Sequence, residues 1–247
     1  MPTLYNPNAS ILSEVCWTRD LCHRQKCLEQ IIVEQYEHVS NLHVELAVDS
    51  LEVEVTKALR TNQKRELGQG RFSIATLVHW NGAEAVMKTP VEDSAWIFVE
   101  ELMYLKHLRG AGGSPIALGL CPNPPALFIS FVGHQTLENY LQEKRTDEEL
   151  VEVAIDLCIK IQEIHQKHVI HHDLKEDNVL VDAQGMVHVI DFGNADKEGE
   201  KCCYRRPSWS PMWMAPEVFS VVLSHPTQDV YSFGYLLMTI AEVMESP

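Results

Sequence analysis

Apolar residues along the chain fall first into a helical period and then into shorter ones. Between residues 15 and 42, Val15, Leu21, Leu28, Ile31, Ile32, Tyr36, Val39 and Leu42 recur at roughly helical spacing. Leu51, Val53 and Val55 then alternate as in a short strand. From about residue 61 the pattern changes. Leu67 to Val78 and Ala85 to Thr89 read as strands, joined through the turn chemistry of Trp80-Asn81-Gly82. A helix is predicted from about Ser94 to Leu108, with Gly110 as its stop. Gly110-Ala111-Gly112-Gly113 is followed by no Gly-Lys-Ser/Thr, so it reads as a turn and not as a P-loop. Pro122, Pro124 and Pro125 mark a loop ahead of an apolar strand, Leu127 to Val132.

The second half is more helical. Thr146-Asp147-Glu148-Glu149 is a capping box. It opens a helix with the apolar stripe Leu150, Ala154, Leu157, Cys158, Ile161 and Ile164. Strand-like pairs follow at Val179-Leu180 and Val187 to Ile190, and a last helix is predicted from near Asp229 to the end of the chain. The expected class is α+β, with a strand-rich lobe before a helix-rich one and a mostly helical extension over residues 1–60.

Composition narrows the function. The 247 residues are 45% apolar and 22% charged, which suits a soluble globular chain and excludes wholesale disorder. The net charge of −15 argues against a uniform basic surface, so no nucleic-acid partner is expected. Seven cysteines, an odd number with Cys202 and Cys203 adjacent, do not make a secreted disulfide framework. No signal peptide is expected from the opening residues, and no membrane span is expected because no apolar run is long enough. The cytoplasm or the nucleus is the expected compartment. Cys16, Cys22, His23 and Cys27 lack the paired C-x-x-C of common zinc sites, and ordinary helix packing is the better reading.

Three stretches carry candidate chemistry. In Leu67-Gly68-Gln69-Gly70-Arg71-Phe72-Ser73, glycines between strands let backbone N–H groups approach a polyphosphate. Ser73 stands where a third glycine is usual, and a plain hairpin is an equal reading of this stretch alone. In Ala85-Val86-Met87-Lys88 a lysine interrupts an apolar strand, and a buried ammonium needs an anion. Glu101 on the following helix, or a bound phosphate, can supply it. The third stretch is His171-His172-Asp173-Leu174-Lys175-Glu176-Asp177-Asn178, followed by Asp191-Phe192-Gly193. Phosphoryl transfer needs a carboxylate to take the proton of the attacking hydroxyl, oxygen ligands for Mg²⁺ and a cation near the γ-phosphate. Asp173, then Asn178 and Asp191, then Lys175 offer these groups. Trp213-Met214-Ala215-Pro216-Glu217 and Asp229-Val230-Tyr231-Ser232-Phe233-Gly234 follow.

With these motifs in this order, residues 62–247 resemble the eukaryotic protein kinase family. The resemblance implies a bilobal fold, with an N-lobe over about residues 61–132, a C-lobe from about 133 to 247, and ATP with Mg²⁺ between them. It implies that Lys88 grips the α- and β-phosphates and that Glu101 is its helix partner, since Leu105 and Leu108 then match the family's apolar positions. Glu100 is the alternative. Asp173 matches the catalytic base, Lys175 its neighbouring cation, and Asn178 and Asp191 the metal ligands. Gly68 and Gly70 match the loop over the phosphates. Leu67 would lie over the purine and Leu180 under it. Ala75 and Val86 exchange the family's usual valine and alanine, which conserves volume on the adenine roof. Ile129 falls at the gatekeeper position, with Ser130 to Val132 as the hinge that bonds adenine. Leu105, His171 and Phe192 match members of the stacked apolar spine. Lys175 and Ser210 resemble serine/threonine rather than tyrosine kinases, so the implied partner is a protein bearing Ser or Thr hydroxyls.

Two departures stand out. His172 replaces the usual arginine before the catalytic aspartate, so activation is not expected to hang on phosphorylation of Tyr204, Ser208 or Ser210. The basic turn Arg205-Arg206-Pro207-Ser208 reads as exposed surface. The last predicted helix ends at Pro247, where the family continues with further helices. The expected fold therefore lacks the last C-lobe helices, and the expectation is either a fragment or truncated product or a chain that has lost catalysis and kept an interaction role. Tyr235, Leu236, Leu237, Ile240 and Val243 are expected to have less to pack against. Glu217 is expected to be a buried carboxylate without its usual arginine, a destabilising arrangement. Two functions follow: a protein serine/threonine kinase, favoured by the full set of site residues, or a catalytically weak or inactive kinase-like scaffold, favoured by the shortened lobe. Residues 1–60 are expected to bind a partner or brace the N-lobe.

Overall fold

The computed structural model describes residues 65–70, 72–91, 97–122, 124–202, 211–220 and 222–244. The helical and strand patterns of residues 1–60, the start of the helix at Ser94, and Arg71, Cys203, Tyr204, Arg205, Arg206, Pro207, Ser208 and Ser210 lie outside the described residues.

The first lobe is built on a five-stranded antiparallel sheet in the order β1-β2-β3-β5-β4. The strands are β1 Arg65–Gln69, β2 Ser73–Trp80, β3 Ala83–Pro90, β4 Ala117–Pro122 and β5 Pro125–Ser130. The single strand expected over Leu67 to Val78 is two, because the chain reverses at Gly70, whose N–H donates to Ser73 O at 2.8 Å. The β2–β3 turn needs positive φ at both Asn81 (50°) and Gly82 (81°), the combination that Asn-Gly tolerates best. β4 has no clear sequence period. Its proline-bearing end, read as loop, forms a hairpin with β5 in which Pro122 pairs with Pro125 at the sheet edge, where a missing N–H is tolerated. β5 stops at Ser130 instead of Val132. There the Ser130 N–H donates to Ile116 O at 2.9 Å and its Oγ accepts from Ile116 N, and the next residues leave the sheet.

Helix α1, Ile97–Leu108, buries Phe98, Leu105 and Leu108. It ends where Arg109 and Gly110 turn to positive φ. The turn that follows presses directly on the second lobe. Gly112 has φ 72°, its N–H donates to Glu163 Oε2 at 2.9 Å, and a Cβ there would collide with Ile164 and sit 3.1 Å from Lys160 O. Only glycine fits this junction.

The second lobe contains α2 Leu137–Leu141, α3 Asp147–His165 and α4 Pro226–Glu242. Short strands β6 Val169–Ile170, β7 Val179–Val181, β8 Val187–Val189, β9 Asp196–Lys197, β10 Lys201–Cys202 and β11 Val222–Leu223 pair antiparallel as β6–β9, β7–β8 and β10–β11. The capping box of α3 is present, with Thr146 and Glu149 exchanging hydrogen bonds. Its buried stripe is Leu150, Val153, Leu157, Ile161 and Ile164, while Ala154 is half-buried and Cys158 faces outward. α2, too short to show a period, was not foreseen. α4 begins at Pro226, ahead of Asp229, because His225 caps it and Gln228 returns the bond.

Leu236 and Ile240 of α4 are buried in the main core, Tyr235 is half-buried, and Leu237 and Val243 are exposed. The expected shortage of packing therefore falls on outward positions. Glu217 is exposed, so the expected cost of a buried carboxylate does not arise. One apolar core runs through both lobes, joining Val86, Phe98, Leu105 and Ile129 to Leu157, Leu174, Phe192 and Leu236. The opposite face of the sheet holds a smaller cluster of Met87, Cys121, Ala126 and Phe128. The architecture is thus α+β and bilobal. Among the described residues no helix is long and apolar enough to cross a membrane.

Candidate active site

The alternation of β3 sets the first part of the site. Val86 and Lys88 share the face turned to the main core, and Met87 faces the smaller cluster. Register places Gly68, Ala75 and Lys88 in one row across β1, β2 and β3, and pairs Val86 with Ile129. Lys88 is 7% exposed. Its Nζ donates to Glu101 Oε1 at 2.6 Å, Glu101 Oε2 at 2.8 Å and Asp191 Oδ1 at 3.1 Å. Burial alone would lower the lysine pKa, but the Asp191 and Glu101 carboxylates more than offset it and hold the ammonium charged. Burial pushes Glu101 above its ordinary value against the pull of Lys88, whereas the Lys88 charge holds Asp191 below its own. Glu101, and not Glu100, is the partner of Lys88.

Asp191 adopts φ 67°, a conformation that costs a non-glycine residue about 1–2 kcal/mol. The Lys88 bond and the tight turn Phe192–Asn194 hold it there. His172 is strained in the same way, with φ 65°. Such residues gather where a loop must be aimed.

The loop from His171 to Asn178 is organised from below by Asp229. This carboxylate is fully buried and accepts from His171 N at 2.8 Å, His172 N at 2.9 Å and His165 Nε2 at 2.8 Å. Burial works to raise its pKa, but the bonds from His165 and His171 keep it below the usual range. The His171 ring donates to Ile190 O at 2.9 Å, accepts from Asp173 N at 3.2 Å, and meets the Phe192 ring edge-on at 4.8 Å.

The side chain of His172 is fully enclosed. It donates to Ser224 Oγ at 3.1 Å, and Ser224 donates to Asp196 Oδ2 at 3.3 Å. Burial lowers its pKa to about 4, so it is neutral at pH 7. A neutral, enclosed imidazole has no charge to offer a phosphorylated loop.

Asp173 is held at both oxygens. Oδ1 accepts from Trp213 Nε1 at 2.8 Å, and Oδ2 accepts from Asn178 Nδ2 at 3.1 Å, with Lys175 Nζ 3.9 Å away. Burial raises its pKa, while Lys175 and the Trp213 N–H pull it back. Asn178 also donates to Asp173 O at 2.8 Å, so its amide nitrogen faces Asp173 and its carbonyl oxygen faces away.

No group of three or more His, Cys, Asp or Glu residues among those described is arranged to hold a metal. Asp191 and the Asn178 carbonyl offer oxygen donors on adjoining turns. This sparse set fits Mg²⁺, which takes most of its ligands from phosphates and water.

Of the residues expected to enclose a nucleotide, Leu67 and Ala75 are half-buried against the main core, Gly68 and Gly70 are exposed, and Val86 and Leu180 are buried. The Ser130 N–H donates to Ile116 O just ahead of β4, so it is not available to a ligand. Val132 lies past the end of β5, in backbone outside the sheet. The roles of Asp229, Trp213, Asp196 and Ser224 escaped the sequence reading. Asp229 left one signal, an acid at the head of an apolar helix, which has to find partners when buried.

Residues 61–247 match the family model described as protein tyrosine and serine/threonine kinase, and the chain belongs to that family. It is similar to the serine/threonine-protein kinase CTR1 of Arabidopsis thaliana, 29% identical over 199 residues, covering 74% of this chain and 24% of CTR1. It is 31% identical to the serine/threonine-protein kinase STY46 of the same plant, over 57% of this chain and 25% of STY46. It is 32% identical to the dual specificity protein kinase shkD of Dictyostelium discoideum, over 70% of this chain and 25% of shkD. The chain thus spans about a quarter of the length of these relatives.

Proposed function

We propose that the chain transfers the γ-phosphate of ATP to serine and threonine hydroxyls of proteins. The observation that carries this reading is the buried Lys88 ammonium, bonded at once to Glu101 and Asp191. An ammonium held between a helix carboxylate and the acid of the Asp191-Phe192-Gly193 turn is placed where phosphoryl transfer needs a cation. In this reading Lys88 binds the α- and β-phosphate oxygens while Glu101 keeps its ammonium in place. Gly68 and Gly70 cover the phosphates, Leu67, Ala75, Val86 and Leu180 enclose the adenine, and the Ser130 carbonyl and Val132 backbone bond its edge. Asn178 and Asp191 would hold Mg²⁺, which when bound neutralises phosphate charge. Asp173 accepts a hydrogen bond from the incoming hydroxyl. It takes the proton as the bond from that oxygen to the γ-phosphorus forms and the bond to the bridging oxygen of ADP breaks. Lys175, next to Asp173, offsets the charge of the moving phosphoryl group. Lys175 is also the residue that favours Ser/Thr over Tyr.

The test is transfer from γ-labelled ATP with Mg²⁺ to a peptide library mixed in Ser, Thr and Tyr. Label on Ser and Thr is the expected result. Label confined to Tyr would overturn the specificity, and no label from a folded chain that binds ATP would overturn the activity.

A further inference from the structure

The indole of Trp213 touches both reactive side chains of the loop. Its Nε1–H donates to Asp173 Oδ1 at 2.8 Å, and Lys175 Nζ lies 5.4 Å from the centre of its ring. The other oxygen of Asp173 is served from different elements, by Asn178 at 3.1 Å and Asn194 at 3.5 Å. Neutral N–H donors therefore fix the rotation of this carboxylate from both ends. An indole nitrogen is a donor only and cannot take a proton, so it does not compete with Asp173 as a base. A carboxylate oxygen has two lone pairs, and the indole uses one of those on Oδ1. The ring sits within cation–π range of Lys175, so one rigid side chain restrains the base and the cation together. The backbone of this segment is itself anchored: Met214 N donates to Pro211 O at 3.2 Å, and Pro211 and Ala215 are buried.

We infer that Trp213 is a positioning residue for phosphoryl transfer, holding the Asp173 carboxylate and the Lys175 ammonium so that both face one incoming hydroxyl. The inference rests on the phosphotransfer reading above. The opposite role, a latch in which the indole blocks the base, makes the opposite kinetic claim: removing the N–H would speed the reaction.

The experiment compares the full chain with its Trp213→Phe variant, which keeps a ring beside Lys175 and deletes the N–H. Hydrogen bonds to charged groups support an expected fall in kcat of about tenfold to a hundredfold, with KM for ATP unchanged. In an Asp173→Asn background, Trp213→Phe has no further effect on the residual rate.

A second readout needs no turnover. In ¹⁵N-labelled full chain, the Trp213 indole N–H resonance, identified by its absence in Trp213→Phe, shifts in Asp173→Asn. A chain that transfers no phosphate yet shows this response would refute the proposed activity and still support the contact. An unchanged or faster kcat in a folded, ATP-binding Trp213→Phe chain would overturn the inference. So would an indole resonance indifferent to Asp173→Asn.

Discussion

Replacing Lys88 with methionine strips Glu101 of the ammonium that now meets both its oxygens. Glu101 is 2% exposed and cannot recover its hydration. It escapes by taking up a proton. Starting from its ordinary value of 4.5, holding the neutral form at pH 7 costs about 1.4 kcal/mol per pH unit, or about 3.4 kcal/mol in all. That is within the range of about 3–5 kcal/mol for removing one partner of a buried pair. The folded variant then binds a proton that the unfolded chain has released. Burial already holds Glu101 above 4.5 in the parent, so the deficit opens as pH rises past that raised value and shrinks as pH falls back below it. The Asp191 side chain is 47% exposed and keeps its water, so it adds little. The assay is urea unfolding of parent and variant at pH 7 and pH 5. The expected deficit is at most about 3 kcal/mol at pH 7 and smaller at pH 5. Adding Glu101→Leu removes the orphaned carboxyl and recovers most of the loss at pH 7. A deficit that is equal at both pH values would refute the reasoning, as would a double variant less stable than the single one.

Other outcomes follow from the same structure. Gly112→Ala combines a left-handed φ of 72° with a collision against Ile164, and thermal unfolding should register a loss of about 3 kcal/mol. Gly185→Ala, at φ 79° but with no atom within 4 Å of its Cβ, should lose only about 1 kcal/mol. His172 has its pKa lowered from 6.5 to about 4, so below pH 6.5 the unfolded chain gains a proton that the folded chain refuses. Its contribution to stability should fall as pH drops from 6.5 toward 4, by up to about 3 kcal/mol. In denaturant titrations across that range, His172→Gln should remove this part of the acid sensitivity.

The parts legible in the sequence are those whose physics is local or demands a partner. The capping box at Thr146 is a matter of adjacent residues. Lys88 declared itself because an apolar strand cannot carry an ammonium alone, and Glu101 lay one helix away. β4 and α2 were illegible because one is broken by Gly119 and Pro122 and the other is a single turn. The cap of α4 was missed because histidine is not a usual cap. The loop-organising contacts join residues far apart in sequence, 57 positions for His172 with Asp229 and 40 for Trp213 with Asp173. No periodicity encodes such pairs. The expectation for Glu217 failed on burial, which depends on how the whole lobe packs.

The measurement that tests the central claim most directly is single-turnover phosphate transfer by the parent chain and by Asp173→Asn, alongside the affinity of each for ATP with Mg²⁺. The account requires transfer to Ser and Thr peptides in the parent, loss of that transfer in Asp173→Asn, and ATP affinity unchanged between them. Transfer that survives the substitution would contradict the role of Asp173 as the base that takes the hydroxyl proton.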